Sequence, residues 1–186
     1  DPEKAKALLK EAGQENLEVK LLVIDNWIKD LAAQIQQDLQ AVGLTCTLDV
    51  QAAPYPSLAA KEDNSVLDYD VFLAPGDVSC FGTNADVHLA WFYGENTDWC
   101  QGRSCWAKAG DGKCQEFNEY LDQARKATDA NTRQEAYNKC FDIISEEVPL
   151  YPLFHKKVVT GYWAGLIEGF EPSPTTGLYF QNAKLK

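Results

Sequence analysis

Three observations in the amino-acid sequence predict an α/β fold, a mixed and mostly parallel sheet flanked by helices. Helix and strand patterns alternate through residues 1–74 in the order α, β, α, β, α, β, and such alternation favours parallel strands joined by crossover helices. The run 17–24 is mostly apolar, as expected for a strand covered on both faces. The strand 69–74 then breaks abruptly into the polar loop 75–86. The crevice outside the carboxyl ends of the strands is where open α/β sheets bind ligands.

Each element has its own signal. Asp1 and Pro2, followed by Ala5, Leu8, Leu9 and Ala12 and then Gly13, predict a short amphipathic helix with a capped start and a glycine stop. Val19, Leu21 and Val23 mark the first strand. Ile28, Leu31, Ala32, Ile35, Leu39 and Val42 recur at helical spacing before Gly43. Leu44, Cys46, Leu48 and Val50 alternate with polar residues, which places Cys46 on the apolar face of a strand as a buried free thiol. Pro54 and Pro56 open a helix around 57–61, and 87–92 reads as another short helix after the polar loop. Residues 94–114 are an irregular, cysteine-bearing excursion without periodicity.

Two further helices follow. One carries Phe117, Tyr120, Leu121 and Ala124; the other, capped by Asp129, has a stripe of Ala136, Tyr137, Cys140, Phe141 and Ile144. Residues 148–159 read as an extended segment that Pro149 and Pro152 confine to strand ends or edges. Residues 161–186 are loop-rich with short extended pieces.

Composition sets the bounds. A chain of 186 residues, 45% hydrophobic and 11% aromatic, has material for one core, so residues 1–186 are read as a single lobe. No apolar run approaches the roughly 20 residues that cross a bilayer, and no basic-then-apolar signal opens the chain. A start at Asp1 and the lack of any methionine read as a fragment or processed product of something longer. The net charge of -11 argues against nucleic acid, whose phosphates need Lys and Arg.

Six cysteines fit an oxidising compartment. Cys100, Cys105 and Cys114 crowd together, and proximity suggests a Cys100–Cys105 bridge, worth about 2 kcal/mol for so short a loop. Their spacing lacks the paired C-x-x-C knuckles of zinc sites, and His88 and His155 are distant in sequence, so no metal is expected.

Motifs of nucleotide binding and of the common hydrolases and zinc proteases are missing. No cofactor is expected. Glu146 and Glu147 are helix neighbours pointing some 100° apart, which suits solvation and not catalysis as a pair. Trp91, Trp99, Trp106 and Trp163 either line an apolar pocket or, as aromatics more often do, fill core. Asp77 either anchors a cation or caps its turn. His88 either reaches a ligand from its helix or is structural, as a lone histidine usually is.

In this order the segments resemble the C-terminal lobe of the family 5 extracellular solute-binding proteins, the oligopeptide, dipeptide and nickel receptors of ATP-driven (ABC) importers. Residues 1–13, with Asp1, Pro2 and Gly13, are similar to the opening of that lobe. Gln37, Leu39, Val42, Gly43 and Leu44 resemble its next helix-to-strand passage, and Asp68, Tyr69, Asp70 and Val71 its central strand. Residues 121–125 with Thr128, Asp129, Arg133 and Tyr137 look like its helical pair; 147–153, Gly169 and Phe170 look like its closing segments.

The resemblance implies a periplasmic-binding-protein-like lobe (type II, cluster C), non-enzymatic and monomeric. It implies a small-molecule or peptide ligand held in a cleft shared with a missing N-terminal lobe, and delivery to a membrane permease. The location implied is extracellular or periplasmic, with a lipid anchor through the missing part. Gly76 and Asp77 fall where the peptide receptors carry an Asp that binds the α-ammonium, and Ser79, Phe81, Asn84 and His88 complete the expected ligand set. Two positions depart from the family pattern: Ala74 stands where a Trp is common, and 79–84 replaces an Asp-Pro-rich continuation. The excursion 94–114 is also unlike that pattern. The alternatives are a secreted hydrolase using Asp77 or Asp86, and a disulfide-braced extracellular domain that binds another protein.

Overall fold

The computed structural model describes residues 1–25, 27–52, 69–76, 82–155, 157, 159–171 and 179–186. Helix α1 (Pro2–Glu11) starts at Asp1, whose carboxylate accepts the Lys4 N–H at 3.0 Å. Its apolar stripe is not buried, and Leu8 remains exposed. Strand β1 (Glu18–Ile24) follows, then α2 (Lys29–Ala41), β2 (Thr45–Gln51) and β3 (Val71–Leu73). The helix expected at 57–61 lies outside the described residues.

The sheet order is β2-β1-β3 with both pairings parallel, so the α/β alternation produces the sheet it predicts. Val19 pairs with Cys46, Leu21 with both Leu48 and Val71, and Val23 with both Val50 and Leu73. Leu21, Val23, Cys46 and Leu73 form one apolar cluster with Ile28 and Ala32, against which Leu31, Ile35, Leu39 and Leu48 pack. Thus α2 covers one sheet face through the stripe its spacing foretold. The opposite parity of β1, Leu22 and Ile24, is also buried. Cys46 is a buried thiol, as its place in the alternation implies.

A second core is helical. Helices α3 (Ala85–Tyr93), α4 (Lys113–Lys126) and α5 (Ala130–Glu147) gather Leu89, Phe117, Leu121, Cys140 and Ile143. A three-residue connection makes α4 and α5 an antiparallel hairpin, with Asp129 accepting the Thr132 N–H at 2.9 Å. The stripe of α5 is narrower than its sequence suggests. Phe141 is exposed, and Ile143 takes the buried place beside Cys140 because it is the one facing α4.

The excursion is more ordered than its lack of periodicity implied. It holds a π-helical turn at Trp99–Arg103 and a short 3-10 turn at Trp106–Lys108. Thr97 Oγ1 donates to the Gly94 carbonyl and accepts the Cys100 N–H. Gly94 is required there, since a Cβ would run into the Ala90 carbonyl. The expected Cys100–Cys105 bridge is corrected. Cys100 Sγ faces Cys114 Sγ at 3.4 Å, whereas Cys105 Sγ is directed to the Gly102 carbonyl. Cys105 sits in a left-handed conformation (φ 58°).

Among the described residues, 148–159 forms no strand. Pro149 and Pro152 remove donors a ladder would need, and Tyr151, Leu153, Phe154 and Val159 are exposed. The last short pieces pair as an antiparallel ribbon, β4 (Ile167–Glu168) with β5 (Lys184–Leu185). Among the described residues no helix is long and apolar enough to cross a membrane.

Phe117 is wholly buried where α3, α4 and the excursion meet. Phe117→Ala is expected to cost about 3–5 kcal/mol in urea unfolding, while Phe141→Ala should stay within about 0.5 kcal/mol. Equal costs would place Phe141 in the core.

Candidate functional site

Strand β3 delivers the chain to the candidate site. At its start, Asp70 is locked to the central strand twice: its carboxylate accepts the Lys20 N–H at 2.8 Å, and its own N–H donates to the Lys20 carbonyl at 3.0 Å. At its end, Ala74, Pro75 and Gly76 leave the sheet, and Gly76 is exposed. Asp77, Ser79 and Phe81 lie outside the described residues, so three of the six expected ligand contacts have no place in this geometry.

The chain returns at Gly82 and is fixed at once. The His88 ring Nε2 lies 3.0 Å from the Gly82 carbonyl oxygen, which clasps the loop's far end to α3. Asn84 Oδ1 accepts the Asp86 N–H at 3.0 Å and caps α3. Asp86 then receives Arg125 Nε of α4 at 2.6 Å. The structure therefore brings Gly76, Asn84 and His88 to the two ends of one loop and gives Asn84 and His88 holding contacts there.

An aromatic flank meets the chain at Gly76, where the loop begins. Gly76 lies against Phe92, whose ring a Cβ at Gly76 would meet at 3.6 Å. Phe92 packs on Trp99 with ring centroids 5.0 Å apart, and the Arg103 guanidinium sits 4.2 Å above the Trp99 ring. Tyr69 Oη donates towards the Arg103 and Gly102 carbonyls at 2.9 and 3.2 Å. The flank thus meets the chain at Tyr69, just before β3, and at Gly76, just after it.

Burial sets the charge states along the flank. It pushes the Tyr69 phenol up to about 12, so this hydroxyl is a neutral donor at physiological pH. Burial also lowers Arg103, which remains a cation because a guanidinium starts so high. Arg103 Nε is buried without a hydrogen-bond partner, and the Trp99 face supplies cation–π attraction in its place.

Of the four tryptophans singled out, Trp99 belongs to this flank, Trp106 is core, and Trp91 and Trp163 are exposed. Sequence reasoning missed Tyr69, Phe92 and Arg103. Only Arg103 carried a signal, as a cation two residues from Cys105 inside an otherwise uncharged stretch between Asp98 and Lys108. Among the described residues, no group of three or more His, Cys, Asp or Glu side chains is gathered for a metal.

No family model matches the chain. It is similar to Di/tripeptide-binding protein 4 of Pseudomonas aeruginosa (strain UCBPP-PA14), 28% identical over 203 aligned residues, covering 100% of this chain and 34% of that protein. The chain therefore spans about a third of the length of this curated relative. Two solved structures share the fold. One is DppA of Helicobacter pylori, an ABC transporter-associated periplasmic binding protein in complex with the peptide STSA: TM-score 0.63, 19% identity, 100% of this chain and 34% of that one. The other is the periplasmic binding protein AgaA of A. tumefaciens R10 in complex with agropinic acid: TM-score 0.59, 31% identity, 79% of this chain and 28% of that one. All three are named as binding proteins and not as enzymes. The fold is that of a periplasmic-binding-protein-like lobe, and the resemblance to the family 5 solute-binding proteins holds across the chain.

The cap at Asn84 can be checked directly. Asn84→Ala should lower the unfolding free energy by about 1 kcal/mol, whereas Asn84→Asp should retain it, as read by urea unfolding. An unchanged alanine variant would remove the capping role.

Proposed function

We propose that this chain, built as the C-terminal lobe of a family 5 solute-binding protein, forms one jaw of a ligand cleft whose other jaw lies elsewhere in a longer protein. The ligand is a short peptide, captured without covalent chemistry and handed to the membrane permease of an ABC importer, outside the cell or in the periplasm. One observation carries this reading. The strand that leads into the loop is locked to β1 at Asp70 and the chain leaving the loop is clasped by His88, at the sheet position where such folds bind ligands, in a chain similar to a di/tripeptide-binding protein. Within that loop, Asp77 is proposed to hold the α-ammonium, with Gly76, Ser79, Phe81 and His88 around it and Asn84 shaping the loop's exit.

The exposed apolar side chains of the segment after α5 support a jaw that packs against further protein. Tyr151 is 75% and Trp163 76% exposed here. Energetics agree. A micromolar site is worth about 8 kcal/mol, and half its contacts would leave about 4, a millimolar binder before association costs are counted. Binding therefore belongs to the assembled pair of lobes, which close about a hinge.

The decisive measurement is a thermal-shift series on the intact protein with free and N-acetylated di- and tripeptides, agropinic acid, sugars and nickel chelates. At 100 times Kd a true ligand stabilises by about 2.7 kcal/mol. Free peptides should stabilise and acetylated ones should not. Asp77→Ala should weaken binding by about 10- to 100-fold, the loss of one charge-assisted bond of about 1.5–3 kcal/mol. Stabilisation by another class alone would overturn the peptide and the role of Asp77. Turnover of peptides or glycosides on prolonged incubation would instead make the protein a hydrolase.

A further inference from the structure

We propose that Cys100 and Cys114 are a built disulfide site, oxidised by exchange with a small or protein-borne disulfide, which staples the π-helical turn to the first turn of α4. The two sulfurs are 3.4 Å apart and buried in the helical core. Closing them to a bond of about 2.04 Å requires the sulfurs to approach by roughly 1.4 Å in total. Both backbones are already held for it. Thr97 Oγ1 accepts the Cys100 N–H at 3.2 Å, and Asn118 Nδ2 donates to the Cys114 carbonyl at 2.8 Å. Asn118 also accepts the Glu95 N–H through Oδ1 at 3.2 Å, which ties α4 to the start of the excursion. The frame that positions the two thiols is therefore independent of any bond between them.

The other described cysteines are placed elsewhere. Cys46 lies in the sheet cluster, and Cys140 Sγ donates to the Phe117 carbonyl. Cys105 Sγ points to the Gly102 carbonyl on the side of Tyr69. Access is also unequal within the pair. A groove of about 310 Å³ is lined by Glu95, Gln101, Trp106, Asp111 and Cys114, whereas Cys100 is wholly buried behind it. Cys114 is thus the thiol that meets an incoming disulfide.

The exchange balances in two steps. Cys114 gives its proton to solvent and its thiolate attacks one sulfur of the incoming disulfide, whose S–S bond breaks and whose other half leaves as a thiolate that takes up a proton. Cys100 then loses its proton and attacks the Cys114 sulfur of the mixed disulfide, and the second half leaves as a thiol in the same way. The protein is oxidised by two electrons and the incoming disulfide is reduced to two thiols. Burial holds both thiols above their ordinary range, Cys100 up to about 12, so the exchange should speed up as pH rises from 7 to 9.

Peptide mapping of the full protein tests the assignment. The protein is incubated with oxidised glutathione at pH 8, unfolded in iodoacetamide and digested with trypsin. Cleavage after Arg103, Lys108 and Lys113 puts Cys100, Cys105 and Cys114 on separate peptides, and Cys80→Ser removes the other thiol from the peptide bearing Cys100. The expected product links 62–103 to 114–125 and is lighter than the two thiol peptides by two hydrogens. It should persist in Cys105→Ser and vanish in Cys100→Ser. Reduction of the oxidised protein should lower Tm by roughly 6–12 °C, with a smaller drop in Cys114→Ser. A link from Cys100 to Cys105, or full alkylation of Cys100 and Cys114 after oxidation, would overturn the proposal.

Discussion

Everything in this lobe depends on β1 being paired on both edges and buried on both faces. A strand so placed has no exposed ladder groups and no freedom to tilt, so the strands beside it inherit its position. Its own side chains do not set its register, because Leu21, Leu22, Val23 and Ile24 would be buried in either parity. The neighbours do. In β2 only the face of Cys46 and Leu48 is apolar, and a slip by one residue would turn Thr47 and Asp49 onto α2. On the other edge the Asp70 carboxylate takes the Lys20 N–H, a contact that exists in one register only.

From that constraint the position of the candidate loop follows. Strand β3 has three residues, of which Leu73 is buried and Val71 half-exposed. It is held by β1 on one side and by the excursion on the other, where Tyr69 meets the carbonyls of the π-helical turn. The excursion in turn rests on the helical core through Trp106, which packs on Phe117 and Tyr93. Two apolar clusters that share no residue thus act on one short strand from opposite sides. The chain leaving it at Ala74, Pro75 and Gly76 is thereby positioned.

The parts of this arrangement that were legible in the sequence are those written in periodicity. The alternation of 45–51, the helical spacing of 28–42 and the caps at Asp1 and Asp129 each specify local structure that burial then rewards. The excursion was illegible because its order comes from single contacts: the Thr97 hydroxyl, the Ser104 hydroxyl on the Trp99 carbonyl, and the Arg103 guanidinium over an indole. None of these has a period. Cysteine proximity misled for a related reason. Cys105 Sγ is directed to the Gly102 carbonyl, while α4 brings Cys114 to Cys100. At the candidate site, the contacts that Asn84 and His88 make had no sequence signal. Asn84 and His88 stand at the loop, but capping and clasping depend on where Asp86 N–H and the Gly82 carbonyl fall in space.

The contacts of Asp86 bear on the choice between a capture site and a catalytic one. Hydrolysis by paired acids needs two carboxylates free to face one bond. Asp86, one of the two acids a hydrolase reading would use, instead has both oxygens turned to Arg125, at 2.6 and 3.5 Å, where it ties α3 to α4. A ligand-holding loop asks less of its residues: a fixed path, a flat apolar backing and one charge of the right sign. Pro75 and Gly76 lead into the loop against Phe92, which packs on Trp99, and the role proposed for Asp77 would add the charge with no proton to move. On the proposal of a two-jawed cleft, such a surface has value only when a second surface closes over it, and among the described residues the exposed Tyr151 and Trp163 after α5 suit such a contact.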